Sequence, residues 1–120
     1  MKNENLQHRT KQFAFRVIKL VESLPQDQVG RVLGNQLLRA GTSVGANYRA
    51  ACRSKSAADF ISKMGTVEEE ADESGYWMEL LQDSGRIKAS KISALMQEAG
   101  ELTAIAVSSI NTARKTSRRR

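Results

Sequence analysis

The chain has 120 residues, of which 40% are hydrophobic and 27% charged, and its formal net charge is +6. This length suits one domain with an ordinary core and leaves no room for a second. No apolar run approaches the roughly 20 residues that span a bilayer, and the polar N-terminal segment lacks the apolar stretch of a secretory signal. The single cysteine, Cys52, cannot form an internal disulfide. We therefore expect a cytoplasmic protein that does not associate with membranes.

The first predicted helix spans residues 5–24, where apolar residues recur at three- and four-residue steps, the period of a helix with one apolar face. Its apolar positions are Leu6, Phe13, Val17, Leu20, Val21 and Leu24. Pro25, the one proline of the chain, follows directly. Because proline favours the first turn of a helix, we expect the second helix to begin at Gln26.

The second predicted helix, residues 26–53, has a row of glycines beside its apolar face. Projection at about 100° per residue gives an apolar face of Val32, Leu33, Leu37, Ala40, Val44, Tyr48 and Ala51. The glycines along its edge are Gly30, Gly34, Gly41 and Gly45. Each glycine inside a helix costs up to about 1 kcal/mol against alanine, so four on one line indicate a physical requirement. Either another helix packs closely against this edge, or residues 41–45 mark a kink.

Arginines line the opposite side of the second helix, and no acidic residue interrupts them. They are Arg31, Arg39, Arg49 and Arg53. A solvated helix face normally mixes both signs at four-residue spacing, so this one-signed face indicates a negative partner. Three interpretations stay open: pairing with carboxylates within or between subunits, binding of nucleic-acid phosphates, and plain solvation.

The third predicted helix begins after Ser56, a suitable N-cap, and ends before Gly85, a suitable C-cap. Its apolar line is Phe60, Met64, Val67, Ala71 and Met78. An acidic stripe runs beside that line and offers candidate partners for the arginines. It consists of Glu68, Asp72, Glu79 and Asp83.

The fourth predicted helix follows Ser90 as its N-cap and has a near-heptad apolar stripe. The stripe is Ile92, Leu95, Met96, Ala99, Leu102, Ala106 and Ile110. Four amphipathic helices with short connections predict an all-α fold, an antiparallel up-down-up-down four-helix bundle over residues 1–113. Residues 114–120 are expected to form a basic, flexible C-terminal tail.

Charge is arranged in blocks along the chain. Residues 28–58 carry +5 without an acid, residues 59–83 carry −7, and residues 84–120 carry +6. The basic side chains of the tail are Arg114, Lys115, Arg118, Arg119 and Arg120. Such a tail adds salt-dependent affinity for phosphates, although tails of this kind also serve only to keep a protein soluble.

The sequence offers little for catalysis. The one histidine, His8, lies near the N-terminus, and without a second histidine neither a Cys-His pair nor a serine triad is easily built. The acidic run of residues 68–73 lacks the paired Glu-x-x-His motifs of di-iron bundles. We expect a protein that is not an enzyme and that holds no metal or cofactor.

Three ordered segments, residues 36–54, 59–63 and 69–81, resemble a known family. On these residues the chain is similar to the bacterial four-helix bundle proteins encoded in intervening sequences of 23S ribosomal RNA genes. Related proteins include the accessory variability determinant of diversity-generating retroelements. The resemblance implies a ring-shaped homopentamer of antiparallel four-helix protomers.

The resemblance also implies a structural signature and a set of partners. The signature positions are Arg39, Asn47, Tyr48, Arg49, Glu73, Tyr76 and Trp77. The retroelement relatives imply a positively charged surface that engages a reverse transcriptase and nucleic acid. We therefore predict a homo-oligomer whose basic surface binds RNA, DNA or a ribonucleoprotein partner, with a reverse transcriptase or another acidic protein as a further partner. The alternative is a structural oligomer or a protein-binding adaptor whose arginines pair at subunit contacts.

Overall fold

The structure, a computed structural model, describes the backbone of residues 2–118 and the side chains of residues 5–118. Its helices are α1 (Lys2–Glu22), α2 (Gln28–Ala51), α3 (Ala57–Asp83) and α4 (Ala89–Arg118). Each helix packs against the next, and α4 also contacts α1, so the helices enclose one core. The predicted all-α, antiparallel up-down-up-down bundle is confirmed. None of the described helices combines the length and apolar composition that crossing a membrane requires.

The apolar stripes of the four helices meet along the axis of a bundle that measures 53 × 24 × 20 Å. The largest fully buried apolar side chains are Phe13, Val17, Leu37, Val44, Met64, Met78, Leu81, Ile92 and Leu102. The prediction that Val32 lies in the core is wrong, because it lies at the edge of the apolar face of α2 and is 53% exposed. The buried Ser74 is not among the predicted core residues. Its hydroxyl donates to the Glu70 carbonyl at 2.7 Å, which satisfies the polar group inside the core.

Two helix starts differ from the sequence prediction. Pro25 stays in the connection and Asp27 caps α2, where its Oδ1 accepts from the Gly30 N–H at 2.9 Å. Arg86 donates to the other carboxylate oxygen at 2.7 Å, and these bonds lower the pKa of Asp27. Helix α4 begins at Ala89, so Ser90 lies inside the helix and does not cap it.

Both ends of α3 form as predicted. Ser56 accepts from the Asp59 N–H at 3.1 Å at the start. At the end, Gly85 takes a left-handed φ of +77°, which glycine adopts without steric cost. The amides of Gly85 and Arg86 bond back to the last turn, to the carbonyls of Gln82 and Leu81 respectively. This Schellman arrangement satisfies the last carbonyls and turns the chain into α4.

Helix α4 continues through the segment predicted as a tail. It reaches Arg118, so residues 114–118 are helical. Arg119 and Arg120 lie outside the described residues.

Candidate nucleic-acid interface

The topology brings the C-terminal parts of the two basic blocks of the chain to one end of the bundle. Helices α2 and α4 end there, and α1 and α3 begin there. One cavity at this end is lined by residues of all four helices, among them Leu6, Tyr48, Phe60 and Ala113. We define the basic pole as the exposed cations of this end that form no ion pair with any described carboxylate: Arg49, Arg53, Lys55, Arg114, Lys115 and Arg118.

A groove of about 560 Å³ between α1 and α2 reaches the basic pole. His8 and Lys11 of α1 and Arg49 of α2 line it, and no carboxylate does. Its other lining residues are small or uncharged: Gln7, Thr10, Ala14, Thr42, Gly45 and Ala46. Basic groups on both walls and small residues between them suit the sugar–phosphate backbone of a nucleic acid.

The glycine edge of α2 brings α1 close enough to form this groove. A Cβ atom on Gly41 would lie 2.8 Å from Val17 Cγ2, and one on Gly45 would lie 3.2 Å from Thr10 Oγ1. A Cβ atom on Gly34 would lie 3.2 Å from Cδ1 of Leu24, in the connection after α1.

Gly30 differs from the other glycines of this edge. It lies in the first turn of α2, and a Cβ atom there would meet the Pro25 carbonyl and lie 2.6 Å from Asp27 Oδ1. The small size of Gly30 therefore serves the connection before α2, whereas the other three glycines serve contacts with α1 and its C-terminal end.

The four arginines of the predicted stripe have different environments. Arg39 donates to Glu73, and its other terminal nitrogen lies 3.4 Å from Glu70 Oε1. Arg31 donates to the backbone carbonyl of Gln26. Arg49 lines the groove and Arg53 is exposed beyond it, and neither has an ion-pair partner among the described side chains. Of the four arginines of the predicted stripe, only Arg49 and Arg53 therefore belong to the basic pole.

The acids that pair with Arg39 are not the acidic stripe expected from the sequence. Glu70 and Glu73 lie on the edge of α3 that faces α2. The four predicted acids lie on the other edge of the apolar line, and none of them has an ion pair with a described residue. They are Glu68, Asp72, Glu79 and Asp83.

Most signature positions of the second and third helices have partners within the bundle. Glu73 Oε1 accepts from Arg39 and, at 3.1 Å, from Trp77 Nε1. Tyr76 stands edge-on to Trp77 with ring centroids 5.1 Å apart. Asn47 donates to the Ser43 carbonyl within its own helix at 2.8 Å. The bond between Arg39 and Glu73 connects α2 to α3.

Two further signature or basic residues have partners inside the protein. Burial, followed by a hydrogen bond with Cys52, raises the pKa of Tyr48. Arg9 of α1 donates to Glu98 at 2.7 and 2.8 Å and to Glu101 at 2.6 Å, which joins α1 to α4 and raises the pKa of Arg9. Arg9 is therefore engaged within the bundle, unlike the cations of the basic pole.

The chemistry that this end of the bundle offers is positive charge and hydrogen-bond donors. Across the described residues, no three histidine, cysteine or acidic side chains come together in a way that could hold a metal ion. His8 and Lys11 are not among the predicted site residues. They lie three positions apart on one face of α1, and projecting that helix would have revealed the pair.

Comparisons with known proteins place these features in context. A family model described as 23S rRNA-intervening sequence protein matches residues 2–108. A crystal structure from Bacteroides thetaiotaomicron, of a protein with unknown function from the S23 ribosomal protein family, is 34% identical with a TM-score of 0.85. That match covers 92% of this chain and 99% of the other. No curated protein matches. The basic residues after position 108 lie beyond the range of the family model.

Proposed function

The chain belongs to the family of 23S rRNA-intervening sequence proteins, and from that premise we propose that it binds nucleic acid without catalysing a reaction. The observation that supports the proposal is the basic pole: Arg49 lines the groove between α1 and α2, and the exposed cations of the connection after α2 and of the end of α4 lie at the same end of the bundle. Asp59, at the start of α3, is the described carboxylate nearest to the connection that carries Arg53 and Lys55, and it is paired with Lys63 at 2.9 Å. Positive charge that outnumbers the carboxylates around it attracts polyanions through the release of their counterions. Arg31, Arg39 and Arg9 contribute less, because each already donates to a partner in the bundle.

The binding mode follows from the groove. Lys11 and His8 on one wall and Arg49 on the other would contact successive phosphates of a strand that follows the groove. The strand would then pass Arg53 and the last turns of α4, where Arg114, Lys115 and Arg118 extend the positive surface. Contacts of this kind position a nucleic acid and carry no sequence information by themselves.

The assembly that we propose for the protein is a homopentamer, in line with the resemblance of the sequence. Val32 is 53% and Tyr76 is 52% exposed, and they lie on α2 and α3, the two helices that Arg39 and Glu73 join. Exposed large apolar side chains near one seam suit contact with another copy of the chain. A reverse transcriptase or another acidic protein remains a predicted partner.

A structural oligomer without a nucleic-acid ligand is the second candidate. The observation that favours it is the acidic stripe of α3, which has no ion pair with a described residue and in which Asp72, Glu79 and Asp83 are exposed. Arg49 and Arg53 of one copy could pair with that stripe on another copy. In that arrangement the arginines would be consumed at subunit contacts and would not be available to phosphates.

The test measures binding of labelled RNA and duplex DNA across a salt series. On duplex DNA, we expect the double variant Arg49→Gln, Arg53→Gln to reduce the slope of log K against log salt by about 0.9 for each phosphate that it no longer neutralises. Removal of residues 114–120 should reduce the slope further. Arg39→Gln is the matched control, because its guanidinium already pairs with carboxylates, and it should leave the slope unchanged. Affinity weaker than millimolar at low salt, or affinity independent of salt, would contradict nucleic-acid binding.

A further inference from the structure

The cavity at the basic pole is large enough to hold a small organic group. It has a volume of about 580 Å³ and lies where α1 begins and α4 ends. Volumes of roughly 300–1,000 Å³ are typical of small-molecule sites. Helices α1 and α4 pack against each other less extensively than the other neighbouring helices do, which leaves this side of the bundle accessible.

The walls of the cavity combine aromatic rings with hydroxyl groups. The apolar wall is formed by Leu6, Tyr48, Phe60 and Ile105. The polar wall is formed by Asn5, Ser108, Ser109 and Thr112. Hydroxyls in a helix often bond to its own backbone, as that of Thr103 in α4 does, which lies outside the cavity and donates to the Ala99 carbonyl at 2.8 Å. None of the three hydroxyls on the cavity wall has a hydrogen bond to a described residue, so they are available to a ligand.

The unpaired cations nearest to the cavity do not line it but directly follow two of its lining residues in the chain. Arg49 directly follows Tyr48 in α2, and Arg114 and Lys115 directly follow Ala113 in α4. Arg9 also lines the cavity, but its guanidinium is held by two glutamates. A ligand that matches this arrangement has a flat apolar body, a polar edge and negative charge beside it.

A nucleotide has those three properties. Resting on the proposed function, we propose that the cavity receives one unstacked base of a single-stranded nucleic acid, with its flanking phosphates on the basic pole. Phe60 would contact the face of the base, with the buried Tyr48 ring beneath it at the floor of the cavity, and Ser109 and Thr112 would bond to its edge. A base in a duplex is stacked and paired and does not enter the cavity, so the protein prefers single strands.

The experiment compares three probes of equal length at one salt concentration: single-stranded RNA, the corresponding duplex, and an oligonucleotide with abasic sites. The abasic probe keeps the phosphates and lacks the bases. We expect the wild-type full-length chain to bind single-stranded RNA about tenfold more tightly than the abasic probe, since stacking of one base contributes roughly 1–3 kcal/mol.

Two matched pairs of variants locate the base. Phe60→Leu should remove most of that preference, whereas Phe15→Leu, at a 50% exposed ring on the outer face of α1, should keep it. Ser109→Ala should reduce it severalfold, whereas Ser93→Ala, at an exposed serine away from the cavity, should not. If Phe60→Leu does not fold, the comparison of Ser109→Ala with Ser93→Ala still tests the base site.

The outcomes separate the two proposals. Equal affinity for all three probes, with no difference within either pair of variants, would overturn the base site and leave binding through phosphates intact. Binding to none of the probes would overturn the proposed function together with the base site.

Discussion

At Gly41 the first two helices lie so close that one methyl group has no room. The nearest atoms to a Cβ placed there belong to Val17, a fully buried β-branched side chain with little freedom to move. Glycine costs helix stability at this position, and close contact between α1 and α2 offsets that cost. The requirement is local, because Gly65, Gly75 and Gly100 have no atom within 4 Å of a Cβ.

Alanine substitutions distinguish the two kinds of glycine. We expect Gly41→Ala to lower the free energy of unfolding by about 1–3 kcal/mol, since the added methyl group overpacks the contact with Val17. Gly100→Ala should instead raise it by up to about 1 kcal/mol, through helix propensity alone. Urea unfolding measures both. Equal effects of the two substitutions would mean that the helices are not in close contact at Gly41.

Among elements, the seam between α2 and α3 depends on one connected group of side chains. Glu73 accepts from Arg39 of the neighbouring helix and from Trp77 of its own helix. Arg39 is half exposed, so solvent screens the pair and limits the stability it contributes. Its main effect is to fix how the two helices lie against each other.

A double-mutant cycle measures that pair. We expect Arg39→Gln and Glu73→Gln to couple by about 0.5–1 kcal/mol in the free energy of unfolding, and the coupling to weaken as salt is added. The matched cycle pairs Arg49→Gln with Glu73→Gln, and there the effects should add to within about 0.5 kcal/mol. Coupling of the same size in both cycles would indicate a general charge effect and not a specific contact.

The elements themselves are predictable from the sequence because their signals are local. The four apolar stripes, the Ser56 cap and the Gly85 turn depend on residues within a few positions of one another. The exposure of Val32 is less predictable, because a residue at the edge of an apolar face is covered or left open by how the neighbouring helices pack. The start of α2 differs from the prediction for another reason: the local N-cap bond of Asp27 to Gly30 sets it, and the prediction gives Pro25 the role that Asp27 has. Arg86, which lies 59 positions later in the chain, holds the same carboxylate in place.

For the whole molecule, the sequence contains the charges but not their arrangement. The +5 and +6 blocks are separated by a block of −7, and only the up-down-up-down topology brings Arg49 and Arg53 to the same end as Arg114. The groove depends on topology as well, since Lys11 and Arg49 lie on walls formed by different helices. Helical periodicity places Arg39 and Arg49 on the same face of α2. In the structure Arg39 pairs with Glu70 and Glu73 of α3, whereas Arg49 has no ion pair with a described residue.

Light scattering tests the proposed assembly. We expect a mass of five times the 13.3 kDa of the chain. Val32→Asp combined with Tyr76→Asp should reduce that mass, because both apolar side chains are more than half exposed and the added charges oppose contact with another copy. Val107→Asp, at a 38% exposed position on α4, is the control and should leave the mass unchanged. A wild-type mass of a single chain would contradict the pentamer.

The position of the helix ends has a practical consequence for handling the protein. Because α1 begins and α4 ends at the basic pole, an affinity tag or fluorescent protein fused before α1 or after α4 would stand over the groove and the cavity. A histidine-rich tag would also add titratable groups at this end of the bundle. The connection between α3 and α4, residues 84–88, lies at the far end of a bundle 53 Å long. An epitope inserted there would leave the candidate interface uncovered and allow the chain to be immobilised with that interface facing the solution.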